Sequence, residues 1–149
     1  MRSETFDITV RAKDRYGFVD ITSALREAVE LTGIKAGCST AFCAHTTCCL
    51  LLNEWEDGLL EDLCIRLESL VPRALYYAHD DLTRRKQNLE DEDERRNGQA
   101  HVISMIVGGS SHAIPVREGA PALGRWQRLF LHELDEPKDR HVVFNVIGA

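Results

Sequence analysis

Residues Gly37 to Glu54 read G-C-S-T-A-F-C-A-H-T-T-C-C-L-L-L-N-E. The stretch is apolar enough to be buried, yet it carries His45, Thr46, Thr47, Asn53 and Glu54. Gly33 and Gly37 mark a turn before it, and the polar segment Asn53–Gly58 follows it. The pattern predicts two buried strands, or one long bent strand, with a polar cluster set into them. Ser39, Ala41, Cys43 and His45 share one face by the period of two, and Thr40, Phe42 and Ala44 the other. Both faces are small or apolar, so the strand is expected to be covered on both sides. Buried polar groups need hydrogen-bond partners or a function. One histidine among hydroxyls is most simply a satisfied core residue; the clustering of polar groups, with more histidines later, points further.

Working outward, 149 residues make one domain with a real hydrophobic core. They are too few for a (β/α)₈ barrel of about 250 residues. No apolar run reaches the roughly 18 residues of a membrane span, and the N-terminus lacks a signal-peptide h-region, so a cytoplasmic location is expected. The net charge of −6 argues against nucleic-acid and membrane-surface binding. Five cysteines, Cys38, Cys43, Cys48, Cys49 and Cys64, include no C-x-x-C spacing. Small buried hydrophobes in a reducing compartment is the favoured reading. A catalytic thiol at Cys48 or Cys49 is the alternative.

N-terminal to the central stretch, Phe6, Ile8 and Val10 alternate with polar residues as a half-buried strand. Asp14–Gly17 is a turn and Phe18–Val19 a short strand. Asp20 can cap a helix from about Ile21 to Thr32, which Gly33 ends. C-terminal to it, a helix from Asp57 to Leu70 places Leu59, Leu60, Leu63, Leu67 and Leu70 on one stripe, and Pro72 stops it. The run from Tyr76 to Gln99 is almost free of apolar residues, and the acids Glu90 to Glu94 read as a solvated tip. Ala100–Val107 is helix or strand, broken by Gly108 and Gly109. Ser111–Val116 is a strand whose Pro115 suggests an edge or a bulge. Arg125–Leu134 and His141–Ile147 are two strands joined as a hairpin by Asp135–Asp139. Separated helices and hairpin-like strands indicate an α+β domain, with a mostly antiparallel, sandwich-like sheet core and two main helices.

His45, His79 and His101 sit beside polar residues in poorly periodic surroundings. Their spacing forms no local metal motif. Histidines from separate elements can still build a facial site for zinc or a similar divalent metal, with Asp80 or Asp81 orienting a ring. Metal-free acid/base work by the same imidazoles, with Glu54 as partner carboxylate, is the other reading. Gly108-Gly109-Ser110-Ser111 offers N–H groups and hydroxyls to a phosphate, although a plain turn is the simpler account. Arg125 and Arg128 beside Trp126 suit an anionic or heterocyclic ligand. His112, His132 and His141 lie in strand patterns and read as structural or exposed.

The order of short motifs resembles the YjbQ-like family, known as secondary thiamine-phosphate synthases. They run D-I-T…G-I-K-A-G, F-x-x-H-T-T (Phe42, His45, Thr46, Thr47), N-E (Asn53, Glu54) and D-L…L-x-x-L-V-P (Asp62 to Pro72). Then come Y-x-H-D-D (Tyr77 to Asp81), N-G-x-A-H (Asn97 to His101) and G-x-S-x-x-I-P-V (Gly109 to Val116). G-x-x-x-L-G-x-W-Q-R (Gly119 to Arg128) and E-L-D (Glu133 to Asp135) complete the series. The resemblance implies an α+β fold, a homotrimer, and a pocket around His45, His79 and His101 that holds a metal. It also implies an activity joining a pyrimidine pyrophosphate to a thiazole phosphate with loss of pyrophosphate. Cys48 and Cys49 stand where Ala and Gly often follow His-Thr-Thr. Pro121 replaces a usual leucine, Ile103 replaces a polar residue, and the loop Arg84–Arg96 resembles the longer subtype.

The reading is a small trimeric enzyme acting on a small phosphorylated molecule. His45, Thr46, Glu54 and His101 are its candidate catalytic groups, and Asp80, Asp81, Ser110, Ser111 and Arg125 its candidate substrate contacts. His45, His79 and His101 are the candidate metal ligands. A hydrolase of a phosphorylated metabolite, or a non-catalytic metal- or ligand-binding trimer, are the alternatives.

Overall fold

The computed structural model describes residues 1–89 and 94–149. The acidic tip expected at Glu90–Glu94 therefore lies outside the described residues, apart from Glu94. Among the described residues, eight strands and three α-helices follow in the order β1 (Arg2–Val10), β2 (Phe18–Asp20), α1 (Thr22–Thr32), β3 (Ala36–Cys43), β4 (Cys48–Glu54), α2 (Asp57–Leu70), α3 (Gly98–Val107), β5 (Ser111–Arg117), β6 (Ala120–Pro121), β7 (Gln127–Glu133) and β8 (Arg140–Gly148), with one 3-10 turn at Ala78–Asp80 ahead of α3. They build two antiparallel sheets, ordered β1-β8-β3-β5-β6 and β2-β7-β4. The α+β class with an antiparallel, sandwich-like core is thus present.

The central stretch is two strands, and they belong to different sheets. β3 pairs with β5 and β8, whereas β4 pairs with β7. The expectation that β3 is covered on both sides is corrected: Ser39, Ala41 and Cys43 are buried, while Phe42 on the other face is 44% exposed. The continuous apolar character of β4 follows from layering. Cys48 and Leu50 face a main core with Ala41, Val142 and Phe144 of the larger sheet and Leu25 and Val29 of α1. Cys49 faces a second core with Leu67, Ala100, Ile103 and Leu134. The small sheet is thus a middle layer, covered on one side by the large sheet and on the other by α2 and α3. At the far end of β3, Gly37 lies opposite Gly148. A Cβ on either would collide with the carbonyl of Ile147 or of Ala36, so the close approach of these strands requires glycine.

Helix ends follow local chemistry. Asp20 Oδ1 accepts from the Thr22 N–H at 2.8 Å, one residue ahead of the helix boundary at Ile21, and Gly33 closes α1 in the left-handed region at φ 65°. Glu56 caps α2 by accepting from Gly58 and Leu59.

Ala100–Val107 takes the helical of its two expected states, as α3, which begins two residues earlier at Gly98 because Asp80 and Asp135 supply polar contacts at its start. Two further expectations are corrected. β7 and β8 are not a hairpin: they pair with strands of opposite sheets, and Asp135–Asp139 crosses between layers. On α2 only Leu60 and Leu67 are buried, while Leu59 and Leu70 face outward; a five-leucine stripe is wider than the face the sheet covers. No helix of the described residues is long and apolar enough to cross a membrane.

Glu133 and Arg140 are wholly buried between these layers. Arg140 Nε donates to Glu133 Oε2 at 2.8 Å and its Nη2 donates to Glu133 Oε1. Nη2 also donates to Thr47 Oγ1 at 3.0 Å and to the Thr47 carbonyl. Nearby, His132 is buried in an aromatic stack, 4.1 Å from the Phe18 ring and 5.9 Å from Tyr16. Burial pulls its pKa down to about 4.

Both buried groups have measurable consequences. Arg140→Met strands a carboxylate in the core and should cost about 3–5 kcal/mol in urea unfolding, whereas adding Glu133→Leu should recover much of it. For His132 the unfolded ring, near 6.5, binds a proton that the folded ring refuses until about pH 4. Stability should be complete above pH 6.5 and fall through that window by on the order of 3 kcal/mol. His132→Phe keeps the stack and should remove that part of the slope.

Candidate functional site

The His-Thr-Thr segment lies in the link from β3 to β4, where the chain changes sheets. Thr47 is its fixed point. Its hydroxyl and carbonyl accept from Arg140, and the carbonyl also accepts from the Leu134 N–H. That anchor sets the turn from which His45 projects. The His45 Nε2 accepts the backbone N–H of His141 at 3.0 Å, so the neutral ring carries its proton on Nδ1. The two imidazoles stack with centroids 5.7 Å apart.

His101 comes from the first turn of α3, and that turn is held by three side chains. Asp80 Oδ1 accepts from the Gly98 N–H at 2.8 Å. Asn97 Nδ2 donates to the buried Asp135 at 3.1 Å. The buried Gln99 donates to Tyr16, Glu68 and the Val71 carbonyl, and accepts from Arg15. A Cβ at Gly98 would stand 2.8 Å from Tyr77 Cβ, so the Tyr77–Asp81 segment can press on the helix start only over glycine. This contact seats His79 with its ring centroid 4.5 Å from that of His101.

His45, Thr46 and Ser110 line one cavity of about 350 Å³ together with His101, Ser104, Met105 and Gly108. Burial, then the Arg140 charge, lowers the His45 pKa. Burial, then neighbouring His79, lowers that of His101. Both imidazoles are therefore neutral at pH 7. Such rings can accept a proton or offer one N–H, and Thr46, Ser104 and Ser110 add hydroxyls. Ser104 Oγ donates to the Cys48 carbonyl at 3.1 Å, which leaves its lone pairs available.

The remaining candidates lie elsewhere. Asp80 and Asp81 line a different, larger cavity of about 680 Å³ with Arg15, Arg73, Tyr76 and Arg96. Both have local partners: Asp80 holds α3, and Asp81 accepts from Tyr76 and Thr83. Glu54 is exposed at the end of β4 remote from His45, about 20 Å along the strand. Ser111 is exposed opposite Phe42, and Arg125 lies over the Trp126 ring at 4.6 Å. Cys48 and Cys49 are buried; Cys49 is pushed up to about 12 by burial, and Cys48 rises because it shares a hydrogen with Cys43. Neither is an activated thiol.

The structure adds Arg140, Asp135 and His141 to the neighbourhood. Glu133 and Asp135 were legible only as part of the E-L-D motif. His141 looks like any strand residue; only the pairing of β8 beside β3 brings it to His45.

The donor set can be tested against a metal. A histidine ligates through a ring lone pair. The Nε2 lone pair of His45 accepts from His141, and that of His79 accepts from Arg85 at 3.2 Å. An arginine only donates, so His79 Nε2 is the acceptor. Among the described residues no three His, Cys, Asp or Glu side chains converge as a metal-holding group. The arrangement as it stands is a histidine pair with a third ring turned to the backbone, and it does not fit a three-histidine centre.

A family model described as UPF0047 protein, YjbQ-like, matches residues 6–149. A UPF0047 protein of Methanothermobacter thermautotrophicus is 32% identical over 148 residues, covering 99% of this chain and 94% of that protein. One of Archaeoglobus fulgidus is 33% identical over 141 residues, covering 95% and 99%. Among solved structures, a YbjQ-like protein of unknown function from Sulfolobus solfataricus superposes with a TM-score of 0.86 at 31% identity, with 99% of each chain covered. A hypothetical protein from Aeropyrum pernix gives 0.84 at 29% identity, covering 98% and 99%.

Proposed function

This chain belongs to the YjbQ-like UPF0047 family, and from that premise we propose that it is a small enzyme acting on a phosphorylated heterocycle in the His45–His101 cavity. The observation that carries the reading is the pairing of two neutral imidazoles with three hydroxyls around one cavity, beside the apolar side chain of Met105. An aromatic heterocycle suits the Met105 and imidazole surfaces. Its phosphate suits Ser110 and the glycine turn ahead of it. His101 then serves as the proton acceptor or N–H donor at the reacting group, and His45, locked by His141, orients the substrate.

The chemistry of the resemblance, union of a pyrimidine pyrophosphate with a thiazole phosphate, is compatible with this cavity. Hydroxyls and N–H donors stabilise the departing pyrophosphate. On this reading Asp80 and Asp81 act by seating α3 and its neighbouring turn. The working form is a homotrimer in the cytoplasm: Met105 and Ile106 are 75% and 55% exposed on α3, and a neighbouring subunit would cover them and complete the cavity wall.

A second reading, a metal-binding module, draws on the 4.5 Å contact between His79 and His101. Zinc binding there would require Arg85 to give up His79.

Turnover of pyrimidine pyrophosphate with thiazole phosphate should fall by about 10²–10⁴-fold in His101→Ala and less in Ser110→Ala, with the fold intact by circular dichroism. Unchanged turnover in His45→Ala and His101→Ala together would remove the cavity from consideration. Equilibrium dialysis against zinc separates the readings: the enzyme reading expects weak uptake that rises in Arg85→Ala, and the module expects stoichiometric uptake by the wild type.

A further inference from the structure

Cys43 and Cys48 bracket the His45 segment, as the last residue of β3 and the first of β4. Their Sγ atoms are 3.5 Å apart. Both residues are buried, at 2% and 1% exposure. The other three thiols have different surroundings: Cys38 and Cys64 face the Ser39 and Tyr16 carbonyls, and Cys49 points into the second core. The fold has therefore selected one pair out of five cysteines.

A disulfide needs an S–S distance of about 2.0 Å, so the pair must close by about 1.5 Å. The backbone between the two residues can supply that movement. Ala44 and Thr46 are exposed; the segment is held at its two ends and by the His45 ring, which accepts from the His141 N–H. Cys43 N–H donates to the Ser110 carbonyl at 2.9 Å, and Thr47 is held by Arg140.

We propose that Cys43 and Cys48 are a redox-modification site, converted by a peroxide into a disulfide that ties the two sheets together beneath His45. The Cys43 sulfur attacks one peroxide oxygen. The S–O bond forms as the O–O bond breaks, and the departing hydroxide takes the thiol proton and leaves as water. Cys48 sulfur then attacks the sulfenic sulfur. The S–S bond forms, the S–O bond breaks, and hydroxide leaves with the Cys48 proton as a second water. Two thiols are oxidised and one peroxide is reduced to two waters. The exposed linking residues Ala44 and Thr46 give a small peroxide its route, burial of both sulfurs makes the oxidation slow, and the same burial keeps larger thiols from the finished bond, which makes it slow to reverse except by a small reductant.

Closing this link shortens the span from which His45 projects, so the modification acts on the cavity without blocking it. The inference stands on the thiol geometry and is independent of which substrate the cavity takes.

Folded, reduced full-length protein is treated with hydrogen peroxide, denatured, alkylated and fragmented. The expected result is a mass lower by two hydrogens, loss of alkylation at Cys43 and Cys48 alone, and restoration of both by dithiothreitol. Cys48→Ala should lose the disulfide, and dimedone should then trap a sulfenic acid on Cys43. Oxidation of the urea-unfolded chain should scatter among the five cysteines, since the fold no longer chooses. Full alkylation of Cys43 and Cys48 after peroxide treatment of the folded protein, or pairing with Cys38, Cys49 or Cys64 instead, would overturn the proposal.

Discussion

The buried pairing of Arg140 with Glu133 is the constraint on which the rest of the molecule depends. An ion pair wholly out of water is tolerated only when its hydrogen-bonding groups are met, and meeting them draws the ends of β7 and β8 and the remote β3–β4 link to one point. Arg140 begins β8, Glu133 ends β7, and Thr47 belongs to the link between β3 and β4. These strands lie in two different sheets, so the pair is a polar pin through an otherwise apolar interface. Nonspecific hydrophobic contact would let the sheets slide over one another; a directional guanidinium does not.

The candidate site grows from this pin. Thr47 fixes the turn that carries His45, and residue 141, next to the arginine, supplies the N–H that locks the His45 ring. Asp135, two residues beyond Glu133, accepts from Asn97 at the head of α3. The same helix head is held by Asp80 and Gln99, and it delivers His101. Most of the short motifs therefore encode one connected hydrogen-bond network that holds two imidazoles in place, rather than a row of groups that all touch a ligand. Burial keeps those imidazoles neutral, the state in which they are most versatile.

Several features were legible from the chain alone. Alternation in β1, the capped helices, the polar cluster within residues 37–54 and the α+β class all follow from local pattern, because side-chain period and capping chemistry act over a few residues. His45 and His101 line one cavity, a juxtaposition that no spacing in the sequence shows. Glu54, Ser111 and Arg125 shared their residue chemistry but not their place: polar character near a motif says nothing about which end of a strand faces the cavity. The helical state of Gly98–Val107 was also open, since a short apolar run fits helix or strand until Asp80 and Asn97 are seen at its start.

The sequence by itself determined most of the elements and the identity of the chemically capable residues, since these depend on neighbours within a turn or two. Tertiary structure alone decided that β3 and β4 separate into two sheets, that β7 and β8 are no hairpin, and that His141 rather than Glu54 stands beside His45. It also decided that two of five cysteines touch. Strand pairing joins residues almost a hundred positions apart, as from Cys43 to Val142, and its register is settled by buried packing and by one ion pair that must be satisfied. No local pattern carries that information, because the energy that selects it exists only once the layers are assembled.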